Sequence, residues 1–273
     1  MKLFIDTAKL HEIKEAYNYG IIDGVTTNPS LLKKAVKKLE AEGENISIKD
    51  YIKKVLETAQ GTPVSLEVTE YTADKMIHQA KKLYEIFNPV AENVVIKIPV
   101  NPSFVDNKNR DFDGINAIRA LANEDIHVNC TLVFTPEQAL LAAKAGATYV
   151  SPFAGRVDDY IRKNNGIVFE KSDYFPAEGW QTEEEYLDDN GIFSGIDLVE
   201  KIAALFDYYD IDTEVLAASM RNVRQVREAA LAGADIATIP YKVIKKLFVH
   251  YKTQEGMKNF TKDIVQEYAD LTK

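Results

Sequence analysis

The sequence predicts an α/β protein folded as a single (β/α)8 barrel. Eight short apolar or β-branched runs alternate with segments of helical period. This alternation predicts a parallel sheet with right-handed crossovers, which eight units can close into a barrel. The length of 273 residues suits one such domain. A doubly wound open sheet is the alternative, but no G-x-G-x-x-G sequence follows the first run.

The predicted strands are short and evenly distributed along the chain. The helix predicted at 135–146 illustrates how the segments between them are bounded: Thr135 suits the N-cap, Pro136 the first helical position and Gly146 the position beyond the end. No internal repeat beyond the alternation and no low-complexity linker suggests a second domain, so we assign residues 1–273 to one barrel. The runs predicted as strands are 3–6, 24–28, 64–68, 94–99, 128–134, 148–153, 213–219 and 236–240.

Composition excludes several classes of protein. No segment approaches the roughly 18 apolar residues of a membrane helix, and the N-terminal MKLFIDTAKL lacks the pattern of a secretory signal. The net charge of −9 argues against broad nucleic-acid binding. The single cysteine, Cys130, excludes an internal disulfide and favours a reducing, cytoplasmic setting, and its apolar run favours a core position. The four histidines lack metal-ligand spacing, so no metal site is predicted.

Lys97 stands alone in the apolar run NVVIKIP at 93–99. The run is typical of a buried parallel strand, so its lysine either extends to water or is desolvated. Desolvation disfavours the ammonium form, and a neutral amine can condense with a carbonyl group. The run alone leaves two interpretations equally open: a Schiff-base lysine, or a strand-end lysine that reaches solvent.

Other polar residues gather where the predicted strands end. In a barrel these carboxyl ends form the face that carries catalysis. Barrel interiors normally hold Val, Ile and Leu, so several charged and polar groups there are costly unless they are paired or used. Some of these side chains could instead face the helices. The polar strand residues are Asp6, Thr26, Thr27, Asn28, Glu67, Lys97, Asn129, Thr131, Ser151 and Ser219, with Arg221 just after.

Several runs resemble the transaldolase family, most closely its short microbial branch, which also contains the fructose-6-phosphate aldolases. They are FIDTA, DGVTTNPSLL, VVIKIP, NCTLVFTPEQALLAAKAGATYVSPFAGRVDD and ALAGADIATIPYKVIKKLF. The resemblance covers nearly the whole chain. It implies a barrel of the class I aldolase type and a cofactor-free enzyme that transfers a dihydroxyacetone unit between sugar phosphates through a lysine Schiff base.

The resemblance also assigns catalytic roles. Lys97 matches the Schiff-base lysine, and Asp6 matches the carboxylate that takes the C4 hydroxyl proton, although Asp6 could also cap the helix that follows. Glu67 and Thr131 match the pair that holds a catalytic water. The aldolase branch has glutamine and tyrosine where this chain has Glu67 and Phe153, so the combination here is that of a transaldolase. Considered alone, Phe153 could simply pack at a strand end.

Substrate-binding roles follow in the same way. Asn28 and Ser151, with the neighbouring Thr27, match positions that contact the dihydroxyacetone hydroxyls, and Asn28 could also cap the helix opened by Pro29. Two arginines and a hydroxyl match the anion site of the family and would supply local positive charge in an acidic protein. The residues of this anion site are Arg156, Ser219 and Arg221.

The chain departs from the short branch at about 158–194, where it carries an insertion after the sixth strand. Its place at the catalytic face favours a lid or a specificity element, and an oligomer contact or a surface decoration is the alternative. A different anionic tail, such as the sulfonate of a sulfonated ketose, is a further possibility for the substrate. An amphipathic helix predicted at about 253–271 resembles one that packs on neighbouring subunits, so a pentamer or decamer is expected.

The sequence therefore predicts a cytoplasmic transaldolase that acts on sugar phosphates, without nucleic-acid or membrane partners. An aldolase that releases free dihydroxyacetone is the nearest alternative. A sugar-phosphate-binding sensor without activity is an alternative of another class, which the joint presence of Asp6, Glu67, Lys97 and Thr131 disfavours.

Overall fold

Eight parallel strands close into a barrel in this computed structural model, which describes residues 1–101, 110–183 and 185–271. The strands are β1 (Lys2–Asp6), β2 (Gly24–Thr26), β3 (Val64–Glu67), β4 (Val94–Pro99), β5 (Val128–Val133), β6 (Tyr149–Pro152), β7 (Trp180–Gln181), β8 (Tyr186–Leu187), β9 (Glu214–Ala217) and β10 (Ile236–Ile239). β7 and β8 form a separate antiparallel pair, and the other eight form the barrel. The predicted (β/α)8 barrel is confirmed, with one barrel strand overlapping each predicted run.

Helices connect consecutive barrel strands, and further helices follow the last strand, β10. They are α1 (Leu10–Asn18), α2 (Pro29–Ala41), α3 (Ile48–Thr58), α4 (Ala73–Ala91), α5 (Asp113–Ala122), α6 (Pro136–Lys144), α7 (Ala154–Asn164), α8 (Gly195–Tyr208), α9 (Val223–Leu231), α10 (Tyr241–Ile244), α11 (Tyr251–Lys262) and α12 (Gln266–Asp270). α6 has the predicted boundaries: the Thr135 hydroxyl accepts the backbone N–H of Gln138, and Gly146 follows the helix at φ +97°.

The barrel interior contains an apolar layer near the amino ends of its strands. Phe4 packs edge-on against Tyr149, with their ring centroids 6.1 Å apart. The Phe4 ring also fills the space beside Gly24, where an added Cβ would lie 2.6 Å from ring atoms. We define this apolar layer as Phe4, Val95, Tyr149, Leu216 and Ile236.

A polar layer lies two residues further along these strands. Because side chains alternate between the two faces of a strand, residues two positions apart point to the same face, and Asp6 and Lys97 follow Phe4 and Val95 into the barrel. We define this polar layer as Asp6, Thr26, Glu67, Lys97, Asn129, Thr131, Ser151 and Thr238.

The segment 165–193 connects α7 to α8 and contains the β7–β8 pair. The predicted insertion at 158–194 thus starts inside α7, and residue 184 lies outside the described part of the chain. The buried Arg162 guanidinium donates to the Asp173 carbonyl at 3.0 Å and faces the Phe175 ring at 5.0 Å. The Tyr174 hydroxyl donates to Glu228 of α9 at 2.7 Å. These contacts attach the segment to α7 and α9.

The C-terminal region forms two helices, α11 and α12, where the sequence predicted one at about 253–271. Val265 is extended (φ −82°, ψ 145°) and separates them. Neither helix has a buried residue, so burial of an apolar face does not hold the region together as one helix. Residues 272 and 273 lie outside the described part. Across the ranges that the structure describes, no helix combines the length and apolar character needed to cross a membrane.

Candidate active site

Lys97 points into the barrel from β4, next to Glu67 of β3. Its Nζ lies 3.3 Å from Glu67 Oε2 and 5.9 Å from the centroid of the Phe153 ring. Only 7 % of the residue is exposed. The amine therefore lies inside the barrel with a carboxylate as its neighbour, which does not match a strand-end lysine that reaches solvent.

Asp6 lies in the same layer, at the carboxyl end of β1. Burial of the carboxyl group raises its pKa from the ordinary 3.8, against the opposing effects of the Lys97 charge and a hydrogen bond from Thr26. The Thr26 hydroxyl donates to Asp6 Oδ1 at 2.9 Å and shares a 2.5 Å hydrogen bond with Thr238. The Asp6 carboxyl therefore keeps its proton to a higher pH than a solvent-exposed aspartate, beside the amine of Lys97.

Thr131 brings a hydroxyl group without a described hydrogen-bond partner into this layer. Its Oγ1 is buried, and Thr131 lies where the register of β5 against β6 shifts, between Cys130 and Val133. Leu132, inside this irregularity, has φ +60°, a left-handed conformation that costs a non-glycine residue about 1–3 kcal/mol. Because a buried hydroxyl normally has a partner, Thr131 is suited to bind a ligand or water.

Ser151 belongs to a chain of hydrogen bonds across three strands. Its hydroxyl donates to Asn129 Oδ1 at 2.7 Å, and Asn129 Nδ2 donates to Ser65 Oγ at 3.1 Å. All three residues are buried. The donor of Ser151 is thereby used within the protein, while its oxygen can still accept from a ligand hydroxyl.

The two residues after Thr26 have different surroundings. Asn28 caps α2 by accepting the Leu31 N–H at 3.0 Å, which confirms the capping interpretation and leaves its Nδ2 group for a ligand. Thr27 donates to the backbone carbonyl of Ser65 at 2.7 Å. Since Thr26 faces the barrel interior, Thr27 faces away from it, so the structure does not bring the Thr27 side chain into the polar layer.

The three predicted anion-site residues come from the chain segments that follow β6 and β9. The Arg156 guanidinium lies 4.8 Å from the Phe153 ring centroid, so Phe153 contacts both this arginine and Lys97. Ser219 has φ +64°. Arg221 Nη2 donates to Asp159 Oδ2 of α7 at 2.8 Å. The set combines cations with a hydroxyl and suits an anionic group.

Asp158 and Gln225, two buried residues to which the sequence analysis gave no role, join these segments. Asp158 accepts the Gly195 N–H at 2.7 Å and the Gln225 side-chain amide at 2.6 Å. Burial raises the pKa of Asp158 to about 7, since it outweighs these hydrogen bonds and the nearby Arg162 charge. Gly195 permits the close contact of α8 with α7, because an added Cβ would lie 2.0 Å from the Ala154 carbonyl oxygen.

Sequence reasoning noted several of these residues without giving them roles. Thr26 and Asn129 share register positions with Asp6 and Lys97 of the polar layer. Thr238 could have been found from alternation, since it follows Ile236 by two residues on β10. The pairing of Asp158 with Gln225 joins helices far apart in sequence and carries no local signal.

The burial of Cys130 and the arrangement of potential metal ligands bear on cysteine and metal chemistry. Cys130 is fully buried in β5, and burial raises the pKa of its thiol, as expected for the predicted core residue. Within residues 1–101, 110–183 and 185–271, no group of three or more His, Cys, Asp or Glu side chains is placed to hold a metal ion.

The comparisons with known proteins agree along the chain. Residues 3–272 match the model of the family described as Transaldolase/Fructose-6-phosphate aldolase. A probable transaldolase of Prosthecochloris aestuarii is 44 % identical over 96 % of this chain and 97 % of its own length. Probable transaldolases of Aquifex aeolicus and Thermoplasma volcanium are 41 % and 40 % identical over 96 % of this chain, and over 96 % and 95 % of their own lengths. The chain therefore belongs to the Transaldolase/Fructose-6-phosphate aldolase family.

Proposed function

We propose that the protein is a transaldolase that transfers a dihydroxyacetone unit from a ketose phosphate to an aldose phosphate through a Schiff base on Lys97. One observation carries the proposal: the Lys97 amine lies inside the barrel, 3.3 Å from the Glu67 carboxylate, in a layer that also contains Asp6 and Thr131. Family membership supports the same reaction class.

The first steps form the Schiff base. The Lys97 amine, once it has given a proton to a neighbouring base, attacks the C2 ketone of the donor to form a carbinolamine. Loss of water from the carbinolamine gives the iminium ion. Glu67 would accept and return protons, and the Thr131 hydroxyl would hold the water that carries them. The contact of Glu67 with Lys97 and the buried Thr131 hydroxyl, which has no partner among the described residues, support these roles.

The next step cleaves the bond between C3 and C4. Asp6 removes the C4 hydroxyl proton, the electrons of the bond move towards the iminium nitrogen, and an aldose phosphate leaves. The raised pKa of Asp6 supports this role, because a carboxylate with a higher pKa is a stronger base towards the hydroxyl proton. The enamine that remains attacks the acceptor aldehyde, and Asp6 returns the proton to the new hydroxyl group.

Substrate recognition is assigned to the edges of the polar layer. Asn28 and Ser151 would bind hydroxyl groups of the dihydroxyacetone unit. Arg156, Ser219 and Arg221 would bind the phosphate group and provide local positive charge in a chain of net charge −9. The insertion after α7 would influence this end of the substrate, including a choice between phosphate and sulfonate, and its contact with α9 through Tyr174 and Glu228 supports this role.

Borohydride trapping tests the proposal directly. Incubation with fructose 6-phosphate and borohydride should add a reduced adduct to Lys97, identified by peptide mass mapping, and sulfonated fructose tests the alternative tail. Transfer to glyceraldehyde 3-phosphate or erythrose 4-phosphate should exceed release of free dihydroxyacetone. Acceptor-independent release would identify an aldolase, while binding without an adduct would support a sensor and contradict the Schiff base.

Self-association is part of the proposal. The exposed apolar side chains of the C-terminal helices support a homo-oligomer, expected as a pentamer or decamer in the cytoplasm. Light scattering coupled to size-exclusion chromatography would measure its mass, and a monomer at micromolar concentration would contradict it. The exposed set, with the residues that flank the two helices, is Tyr251, Met257, Phe260, Ile264, Val265, Tyr268 and Leu271.

A further inference from the structure

The loop between β9 and α9 carries two of the three anion-site residues in a conformation that needs support. Ser219 adopts φ +64°, which costs a non-glycine residue about 1–3 kcal/mol. Gly155 of α7 lies directly against this loop: an added Cβ would be 2.2 Å from the Ser219 carbonyl oxygen and 2.6 Å from Arg221 Nε. The loop is therefore shaped by contacts from α7.

Gln225 supplies a second support from the first turn of α9. Its Oε1 accepts the backbone N–H of Arg221 at 2.8 Å, while Asn222 Oδ1 accepts the Gln225 N–H at 3.0 Å. This reciprocal pair resembles a capping box displaced by one residue. It fixes the backbone of Arg221, the residue whose guanidinium is assigned to the anion.

The start of α6 contains the same arrangement and offers an internal comparison. There the Gln138 Oε1 accepts the Phe134 N–H at 2.8 Å, and Thr135 accepts the Gln138 N–H. Gln138 is partly exposed, whereas Gln225 is 2 % exposed. Gln225 also donates its amide to the buried Asp158 on α7.

That donation fixes which end of the Gln225 amide faces Arg221. The Asp158 carboxylate can accept the amide N–H, so Nε2 turns towards it and Oε1 towards the Arg221 N–H. The other oxygen of Asp158 accepts the N–H of Gly195, at the start of α8. Asp158 thus joins α7, α8 and α9 behind the loop.

We propose that Asp158 and Gln225 are positioning residues of the anion site, which hold Ser219 and Arg221 in the geometry that binds the anionic tail of the substrate. The inference rests on the proposed function for its assignment of Ser219 and Arg221 to that tail. Neither positioning residue lies in the polar layer around Lys97. Their loss should therefore weaken recognition of anionic donors and leave condensation with a neutral ketone intact.

The test compares Gln225→Met with the matched control Gln138→Met. Each variant removes one glutamine that accepts a backbone N–H, but only the first acts next to Arg221. Calorimetric titration with inorganic phosphate should show a Kd at least tenfold higher for Gln225→Met, and a change of less than twofold for the control. The KM for fructose 6-phosphate should rise by a similar factor with kcat unchanged, and borohydride trapping of dihydroxyacetone should stay within twofold of wild type.

Asp158→Asn provides a second variant should Gln225→Met fold poorly. The asparagine can keep the Gly195 bond but places an amide against the amide of Gln225, so phosphate binding should weaken in the same direction. Equal phosphate affinity in wild type and both variants, no phosphate binding by wild type, or equal losses for phosphorylated and neutral ketones would each overturn the inference. Altered phosphate binding without any adduct on Lys97 would instead reject the proposed reaction and leave the positioning role standing.

Discussion

The apolar and polar layers of the barrel interior lie two residues apart on the strands that contribute to both, β1, β4, β6 and β10, yet their energetics are opposite. Phe4 and Tyr149 fill the amino end with rings that bury apolar surface and stabilise the barrel. Asp6 and Lys97, one layer above, remove charged groups from water at a cost that only pairing and hydrogen bonds offset. The comparison shows that the side chains that stabilise the barrel lie near the amino ends of the strands, and the polar side chains lie towards the carboxyl ends.

Most members of the polar layer offset that cost with one another. The Thr26, Asn129 and Ser151 side chains are all hydrogen-bonded within the layer. The Thr131 hydroxyl is buried without such a partner. Among the described residues, the layer thus combines groups that hold each other in place with a buried hydroxyl that is suited to bind a ligand or water, an arrangement typical of a preorganised site.

Replacing Lys97 with methionine should give the largest effect on the polar layer. Loss of the nucleophilic amine is expected to lower kcat by about 10⁴-fold or more and to abolish borohydride trapping. The free energy of unfolding, measured with urea, should confirm that the variant is folded. Full turnover by the folded variant would exclude the Schiff-base mechanism.

Replacing Phe4 with alanine should have the largest effect on the apolar layer. The cavity left inside the barrel is expected to lower the free energy of unfolding by about 3–5 kcal/mol, measured by urea denaturation. Val95→Ala, which removes less volume from the same layer, should cost less. If Phe4→Ala left stability unchanged but stopped trapping at Lys97, the separation of the two layers would be wrong.

Asp158, outside both layers, should give the protein a measurable pH dependence of stability. Its pKa is raised from 3.8 to about 7 in the fold, so the folded state holds a proton that the unfolded state releases. As the pH rises from roughly 4 to 7, the unfolding free energy of wild type should fall relative to that of Asp158→Asn. The expected fall is up to about 1.4 kcal/mol per pH unit.

Above pH 7 the difference between the two proteins should become constant. The charges that act on Asp158 are those of Arg162 and Asp159, and both remain in the variant. Urea denaturation at several pH values checks the slope. A difference that is independent of pH from 4 to 8 would show that Asp158 is already ionised across this range.

Thr26→Val should produce the smallest effect, confined to the polar layer. The hydrogen bond from Thr26 lowers the pKa of Asp6, so its loss should raise that pKa further. If Asp6 acts as an ionised base, the acidic limb of the pH profile of kcat/KM should move up by about one pH unit or less. Thr238→Val removes a hydrogen-bond partner of Thr26 but not of Asp6, so it should shift the acidic limb less.

Local patterns in the sequence were sufficient to predict the barrel and much of the polar layer. The alternation of strands and helices predicted the fold, and a lone lysine in an apolar run drew attention to Lys97. Register adds what the sequence lacked: Thr26 faces the interior, whereas Thr27, which the resemblance assigned to the substrate, donates to the backbone carbonyl of Ser65.

Contacts between distant segments could not be predicted in this way. The hydrogen bond from Gln225 to Asp158 spans 67 positions in the chain, and neither residue type signals the other. The break between α11 and α12 also occurs in a region where neither helix has a buried residue, and a helical period does not reveal whether its apolar face will be buried.

Complete enclosure of Cys130, the sole thiol of the chain, provides a built-in reporter for experiments on β5. Thiol reagents react with the thiolate, which a sealed position inside the barrel wall suppresses. A cysteine introduced on the surface would therefore be labelled alone in the native protein, which allows a dye to be attached without first removing Cys130. The rate at which Cys130 itself becomes labelled would then measure how often the strand that carries Thr131 opens.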